Sequence, residues 1–331
     1  MTGPWSVLGR RQRGTSFVSL PFRSVLNSPE QTGMGFWSVN PYVGCEFGCT
    51  YCYARFAHQY VVERAASRGA PAQAAWNDED FERRIFVKAG AADVLALTLR
   101  PSRIGSHAIA IGTATDPYQP AERTYRITRQ ILERLAQFHG LRIGIVTKSP
   151  LVARDVDVLS RLAERSEVTI HLSLITTDAP LLRRLEMRSP APGARLRSLE
   201  KLAQAGLSAG IMIAPILPGI TDDVPHLEAL IRAAKDAGAR FAGTTPLRMY
   251  ASVRRRFLPV VAEQFPQLLT KYERAFGPNQ EMSPVYVAAL KRRVTMLRRK
   301  VGLPSTPMTG RLDGRSTARP PEMIQQEMPL A

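Results

Sequence analysis

The sequence predicts an α/β chain built as a partial, TIM-like barrel of about six strand–helix units with a basic helical extension at its carboxyl end. Three observations predict it. Short apolar runs alternate with amphipathic stretches through the middle of the chain. The composition, 44% hydrophobic and 22% charged, is ordinary for a chain that buries a sizeable core. Residues 246–302 hold twelve Lys or Arg against Glu263, Glu273 and Glu281, which is +9 of a formal charge of +17. At roughly 150 residues per domain, the 331 residues suit two domains or one barrel with extensions. No apolar run approaches the ~18 residues of a membrane span, and the amino terminus lacks the apolar segment of a secretory signal, so a cytoplasmic protein is expected.

Residues 1–33 carry four Arg against Glu30 and are rich in Gly, Ser and Pro. They read as an irregular arm, with an Arg-rich transit peptide as the second reading. The barrel is expected over 34–245. Its first strand falls near 36–39, and further strand-length apolar runs lie at 107–113 (HAIAIGT), 141–147 (LRIGIVT), 168–175 (VTIHLSLI), 208–214 (SAGIMIA) and 240–244 (RFAGT). Helical patterns fill the gaps at 124–138, 153–163, 195–205 and 224–237. In the last of these, Leu227, Leu230, Ile231 and Ala234 share one helical face. Such alternation implies a parallel sheet with right-handed crossovers, whose ligands gather beyond the carboxyl ends of the strands.

In the extension, Val287, Leu290, Val294, Leu297 and Val301 form one stripe. Arg292, Arg293, Arg299 and Lys300 lie opposite, and are expected to point away from the barrel. With Arg254, Arg255 and Arg256 they make a candidate phosphate-tracking surface for DNA or RNA; the other reading is a solvated basic face. The tail, 303–331, balances three Arg against three acids, is rich in Pro, Ser, Thr and Met, and is expected to be disordered.

The three cysteines all lie within eight residues, as Cys45-xxx-Cys49-xx-Cys52. That clustering argues against a disulfide framework and for metal ligation. Gly44 and Gly48 let the loop fold back so that the sulfurs converge. A structural zinc site needs a fourth ligand, for which His58 is the nearest downstream histidine. Three thiolates on a four-iron cluster instead leave one iron open to a cofactor.

The CxxxCxxC loop, with Tyr51 just before its last cysteine, resembles the signature of radical S-adenosylmethionine (radical SAM) enzymes. The longer strings NPYVGCEFGCTYCYAR, GTATDPYQPAE at 112–122, VTKS at 146–149, HLSLIT at 171–176 and GIMIAPILPGITD at 210–222 resemble its spore photoproduct lyase-like branch. The resemblance spans about residues 35–245 and implies the partial (βα)6 barrel of the radical SAM type. It implies that Cys45, Cys49 and Cys52 ligate a four-iron four-sulfur (4Fe-4S) cluster. The open iron would bind S-adenosyl-L-methionine and, given an electron from a flavodoxin or ferredoxin type of donor, release a 5′-deoxyadenosyl radical. Lys148 and Ser173 match positions that contact the cofactor: the lysine would hold its carboxylate, the serine its ribose or carboxylate. Thr115 and Asp116 stand at a strand end, although Asp116 followed by Pro117 is also a turn-initiating pair. Glu186 and Arg195 would pair across the site or hold a loop, and Tyr51 and Tyr53 would flank the adenine or exclude water from the cluster. One departure stands out. Spore photoproduct lyases carry a hydrogen-donating cysteine where this chain reads Gly112-Thr113-Ala114-Thr115-Asp116, so lesion reversal by that route is in doubt unless a tyrosine such as Tyr118 donates. The competing function, from another class, is a non-catalytic nucleic-acid-binding protein with a structural zinc.

Overall fold

The computed structural model describes residues 6–305 apart from 13, 68–78 and 277–279. Residues 306–331, most of the tail expected to be disordered, lie outside the described residues. In chain order the strands are β1 (Val7–Arg10), β2 (Ser16–Ser19), β3 (Leu26–Asn27), β4 (Trp37–Val39), β5 (Tyr42–Val43), β6 (Arg84–Val87), β7 (Ile109–Ile111), β8 (Arg142–Thr147), β9 (Glu167–Ser173), β10 (Ser208–Ile216) and β11 (Ala242–Pro246).

Six of them, β4, β7, β8, β9, β10 and β11, lie side by side in that order and all run parallel. The sheet stays open, its far edge closed by β3 antiparallel to β4. This is the expected partial barrel, and each apolar run seen in the sequence supplies a strand. Ile143, Ile145, Ile170, Leu172, Ile211 and Ile213 alternate outward into one core with the helices Ile127–Leu135, Val156–Ala163, Pro192–Gln204 and Val224–Asp236. Of these four helices the last carries a side-chain cap. Asp223 accepts from the His226 backbone N–H at 2.9 Å and fixes the entry of its helix.

The amino-terminal residues depart from the irregular arm expected of them. β1, β2 and β3 lie there with a capped turn of helix at Pro29–Thr32, and β2 runs parallel to β6 in a second sheet ordered β1-β2-β6-β5. Their sequences carry no periodic signal of their own. β2 becomes a strand because β6, 68 residues downstream, presents its backbone donors and acceptors; β1 then pairs with β2, and β3 with β4.

The basic extension is helical, at Ala251–Gln264, Leu269–Ala275 and Pro284–Val301. Leu290, Val294 and Leu297 dock the last helix on the barrel. Its opposite face is less free than expected. Arg293 donates to the Asp222 backbone carbonyl, and Lys300 pairs with Glu228 at 2.8 Å, so two of the four cations are tied to the barrel. A long, flexible side chain swings back to any acceptor within reach. Arg254 is likewise committed, to the Phe276 carbonyl, whereas Arg255, Arg292 and Arg299 are exposed.

Candidate active site

The cysteine loop leaves β4 at the carboxyl end of the barrel and is fastened on every side. Gly44 takes φ +90°, and a Cβ there would lie 2.9 Å from the Phe81 carbonyl and 3.1 Å from His58, so only glycine fits. The Gly44 carbonyl accepts from Thr115 Oγ1 at 2.6 Å and from Gln119 Nε2 at 3.0 Å, and Gln119 Oε1 accepts the Glu46 N–H at 3.0 Å. Cys45 N–H bonds the Phe81 carbonyl at 2.9 Å. On the other side Thr50 N–H and Oγ1 both donate to Leu185 O at 3.0 Å, while Cys49 bridges Glu186 in antiparallel fashion.

Beneath the loop sits a buried ion pair that its sequence pattern does not advertise. Arg55, fully buried, binds Glu82, donates to the Cys49 carbonyl at 3.4 Å and lies over the Phe81 ring. The role of Gln119 is equally hidden in the sequence. Its position four residues after Thr115 on a turn was the available signal.

Cys45 and Cys49 are buried and Cys52 is half-buried. Burial pushes all three thiols up, and for Cys45 the neighbouring Asp116 and the other two cysteines push in the same direction. Thiols so placed ionise when a cation compensates them, which is the chemistry of a metal-cluster donor set. Among the described residues no three His, Cys, Asp or Glu side chains converge as on a single metal ion. His58 in particular faces the Arg84 carbonyl at 2.7 Å and packs on Phe81 and Phe86, and burial lowers its pKa to about 4. It buttresses the loop from behind, so the Cys3His zinc arrangement is not formed. Three cysteine donors with no histidine beside them are the kind of ligand that holds an iron–sulfur cluster.

Five of the residues singled out in the sequence meet beside Cys49. Lys148, just beyond β8, donates to Ser173 Oγ at 3.1 Å and lies 3.9 Å from Glu186 Oε1 and 5.6 Å from the Tyr51 ring centroid. Tyr51 OH donates to Glu186, and Arg195 holds the other Glu186 oxygen at 2.5 Å. Arg195 also donates to the Ser173 carbonyl at 2.7 Å and to Ser189 Oγ at 2.7 Å. Burial alone would raise the Glu186 carboxyl, but the Arg195 and Lys148 charges outweigh it and hold its pKa at about 2. Against the cost of its own burial, Lys148 is raised by Glu186 and Cys49 and stays charged.

Thr115 and Asp116 are present at the same strand ends but their hydrogen bonds go to protein. Asp116 accepts from Tyr118 N–H at 2.9 Å, Thr147 Oγ1 at 2.7 Å and Lys148 N–H at 2.7 Å. The turn-forming reading of Asp116 is the one its geometry supports: it ties β7's exit to β8's and aims Lys148. Tyr53 is 43% exposed, and its OH donates to the Thr113 carbonyl. Tyr118 is fully buried in the core beneath the helices, which speaks against its donating hydrogen to a substrate radical.

An open parallel barrel with three thiols in the loop after its first strand, and a lysine, a serine and a buried ion pair at the next strand ends, defines a class of radical enzymes. The chain belongs to the radical SAM superfamily, whose family model matches residues 39–236. S-adenosylmethionine and a 4Fe-4S cluster are therefore its cofactors. A protein of Mycobacterium tuberculosis H37Rv is 32% identical over 319 residues, covering 96% of this chain and 87% of that one. One from Methanocaldococcus jannaschii is 26% identical over 184 residues, 56% of this chain and 61% of that one. Among solved structures, a spore photoproduct lyase complexed with dinucleoside spore photoproduct superposes with a TM-score of 0.60 at 14% identity, over 86% of this chain and 79% of that chain. A mutant of that lyase gives 0.61 at 13%, over 89% and 84%. The fold is thus that of the spore photoproduct lyase-like branch. No described helix is long and apolar enough to cross a membrane.

Proposed function

We propose that Cys45, Cys49 and Cys52 hold the cluster, that Lys148 and Ser173 bind S-adenosylmethionine, and that the substrate of this radical SAM enzyme is a nucleic acid. The observation that carries the reading is the charged group beside Cys49: Lys148, Ser173, Glu186, Arg195 and Tyr51 in one connected network. The bound cluster and cofactor supply the reducing electron and the carbon-centred radical; the residues around them bind, orient and exclude water. Lys148, charged and already aimed by Asp116, offers its ammonium to a carboxylate. Ser173 offers a hydroxyl beside it. Glu186 is held ionised by Arg195 and keeps Lys148 and Tyr51 in place. Arg55 steadies the Cys49 carbonyl, and Thr115 and Gln119 the Gly44 carbonyl, so the thiols keep their spacing.

A nucleic-acid substrate is supported by the +9 of residues 246–302 and by Arg255, Arg292 and Arg299, which face solvent. Lesion reversal through a cysteine hydrogen donor is disfavoured by Gly112-Thr113-Ala114-Thr115. A cytoplasmic enzyme reduced by a flavodoxin or ferredoxin type of donor completes the reading. The test is anaerobic reconstitution with iron and sulfide. About four irons per chain and reductive cleavage of S-adenosylmethionine to 5′-deoxyadenosine are expected, and one zinc with no cleavage refutes it.

A further inference from the structure

Residues 185–188 lie antiparallel to residues 47–50 of the cysteine loop. Thr50 N–H donates to the Leu185 carbonyl, Arg188 N–H donates to the Phe47 carbonyl at 3.0 Å, and Cys49 is bridged to Glu186 between them. Successive side chains of an extended segment point to opposite faces. Glu186 points inward, where it meets Lys148 and Arg195. Met187 points the other way and is 40% exposed, with Arg188 exposed beside it. Together they cover Gly48, which is buried: a Cβ there would lie 3.5 Å from Arg188 Nε and 3.6 Å from Met187 Cε. At this point a single layer of side chains separates the cysteine loop from solvent.

That layer is basic. The Arg188 guanidinium makes no hydrogen bond or ion pair among the described residues. Arg183 and Arg184, exposed on the last turn of the preceding helix, bind neutral groups, the Met187 carbonyl and Gln264. The two carboxylates of the paired segments are both engaged, Glu46 with Arg11 at 2.8 Å and Glu186 with Arg195. The cover over Gly48 is therefore a methionine rimmed by arginines that pair with no carboxylate among the described residues.

We propose that this surface docks an acidic one-electron carrier protein, which reduces the cluster through the cysteine loop. This rests on the reading that Cys45, Cys49 and Cys52 hold the cluster. One electron leaves the carrier's reduced flavin or iron–sulfur centre, oxidising it by one electron, and enters the cluster, which is reduced by one; no bond is made or broken at this surface. Electron transfer falls steeply with distance, so a carrier must approach where the loop is thinly covered. A substrate gains nothing there, because Lys148 and Ser173 lie on the Glu186 side of the segment. Redox encounters are small, weak and steered by complementary charge. Methionine and arginine are enriched in contact surfaces, and a flexible thioether adapts to more than one partner.

The test is the rate at which a flavodoxin hydroquinone reduces the reconstituted full chain, followed by freeze-quench electron paramagnetic resonance of the cluster. In the wild type the rate should fall as salt rises, and a salt-independent rate overturns the proposal whether or not any variant folds. Arg188→Glu should slow reduction about tenfold at low salt, with the gap closing at high salt, while Arg188→Lys stays near wild type. Iron content and the extent of reduction by excess dithionite should be unchanged in both variants, which separates docking from damage to the loop. Equal rates in wild type and Arg188→Glu, or an iron-loaded chain reduced by neither a flavodoxin nor an acidic ferredoxin, refute the surface alone. An Arg188→Glu chain that loses oligonucleotide affinity but keeps the carrier's rate also overturns it and gives the patch to the substrate. A chain that takes up no iron refutes the cluster reading, and the surface with it.

Discussion

The two largest hydrophobic cores of this molecule are made differently. The larger lies between the parallel strands and their own helices, where Ile170 on β9 or Leu199 on the following helix meets partners from the neighbouring unit of the repeat. The smaller joins Cys45, Phe47, Cys49 and Tyr51 of the cysteine loop to Leu247, Val253, Phe257, Val261, Phe265, Tyr272 and Phe276, about two hundred residues away. The basic extension is thus the roof over the cysteine loop as well as a charged surface. The contrast separates scaffold from chemistry: the first core packs strands against their helices, whereas the second encloses the cysteine loop proposed to hold the cluster.

The largest expected effect falls on the second core alone. Cys49→Ala should leave cluster assembly and cofactor cleavage at background while the barrel unfolds as before. Iron analysis alongside circular dichroism checks this; normal iron content would remove Cys49 from the ligand set. Next, Phe257→Ala truncates a fully buried ring of the roof and should cost ~3–5 kcal/mol in denaturant unfolding. Ile170→Val in the barrel should cost only ~0.5–1.5 kcal/mol. The roof variant should also lose iron faster during dialysis, and equal iron retention would show that the extension does not secure the cluster loop.

Acid probes the same boundary. The folded pKa of Glu186 is depressed to about 2 from an ordinary 4.5. Its contribution is therefore complete above the unfolded value and is lost as the pH falls through the folded one, between about 4.5 and 2. The loss amounts to roughly 3 kcal/mol. Unfolding of the chain before reconstitution should show that dependence, and Glu186→Gln should flatten it; an unchanged acid limb would mean Glu186 is not held ionised. Lys148→Ala and Ser173→Ala should each keep the cluster but weaken S-adenosylmethionine by about ten- to a hundred-fold, the ~1.5–3 kcal/mol of a hydrogen bond to a charged group. Calorimetric titration checks this, and wild-type affinity in both would take them out of the cofactor site. The smallest effect concerns the outside of the roof. Arg292→Gln with Arg299→Gln should lower the salt slope of oligonucleotide binding by ~0.7–0.9 for each phosphate left without its cation. Arg293 and Lys300, already bonded to Asp222 and Glu228, should contribute less to it.

What the sequence determined by itself is whatever its short-range patterns encode. The period-2 runs and the 3.6-residue stripes specify parallel strands and covering helices, because each unit buries its apolar face against its immediate neighbours. The CxxxCxxC spacing marks the metal site for the same reason: ligands within eight residues must come together in any compact loop. Lys148, Ser173, Glu186 and Arg195 were legible because strand ends in such a barrel share one mouth. Only the tertiary structure decided the rest. Ser16–Ser19 is a strand because β6 pairs with it, and Val7–Arg10 because it pairs with Ser16–Ser19 in turn; Arg55 is a buried anchor because Glu82 comes to meet it, and Arg293 and Lys300 are tied to the barrel because Asp222 and Glu228 lie within reach. That Asp116 aims Lys148 depends on the adjacency of β7 and β8. That Gly210 and Val146 stand on either side of His171 depends on the pairing of β9 with β10 and β8. Local periodicity can name the face on which a residue lies, but the identity of its neighbours across strands is set by register, which exists only once the chain has folded.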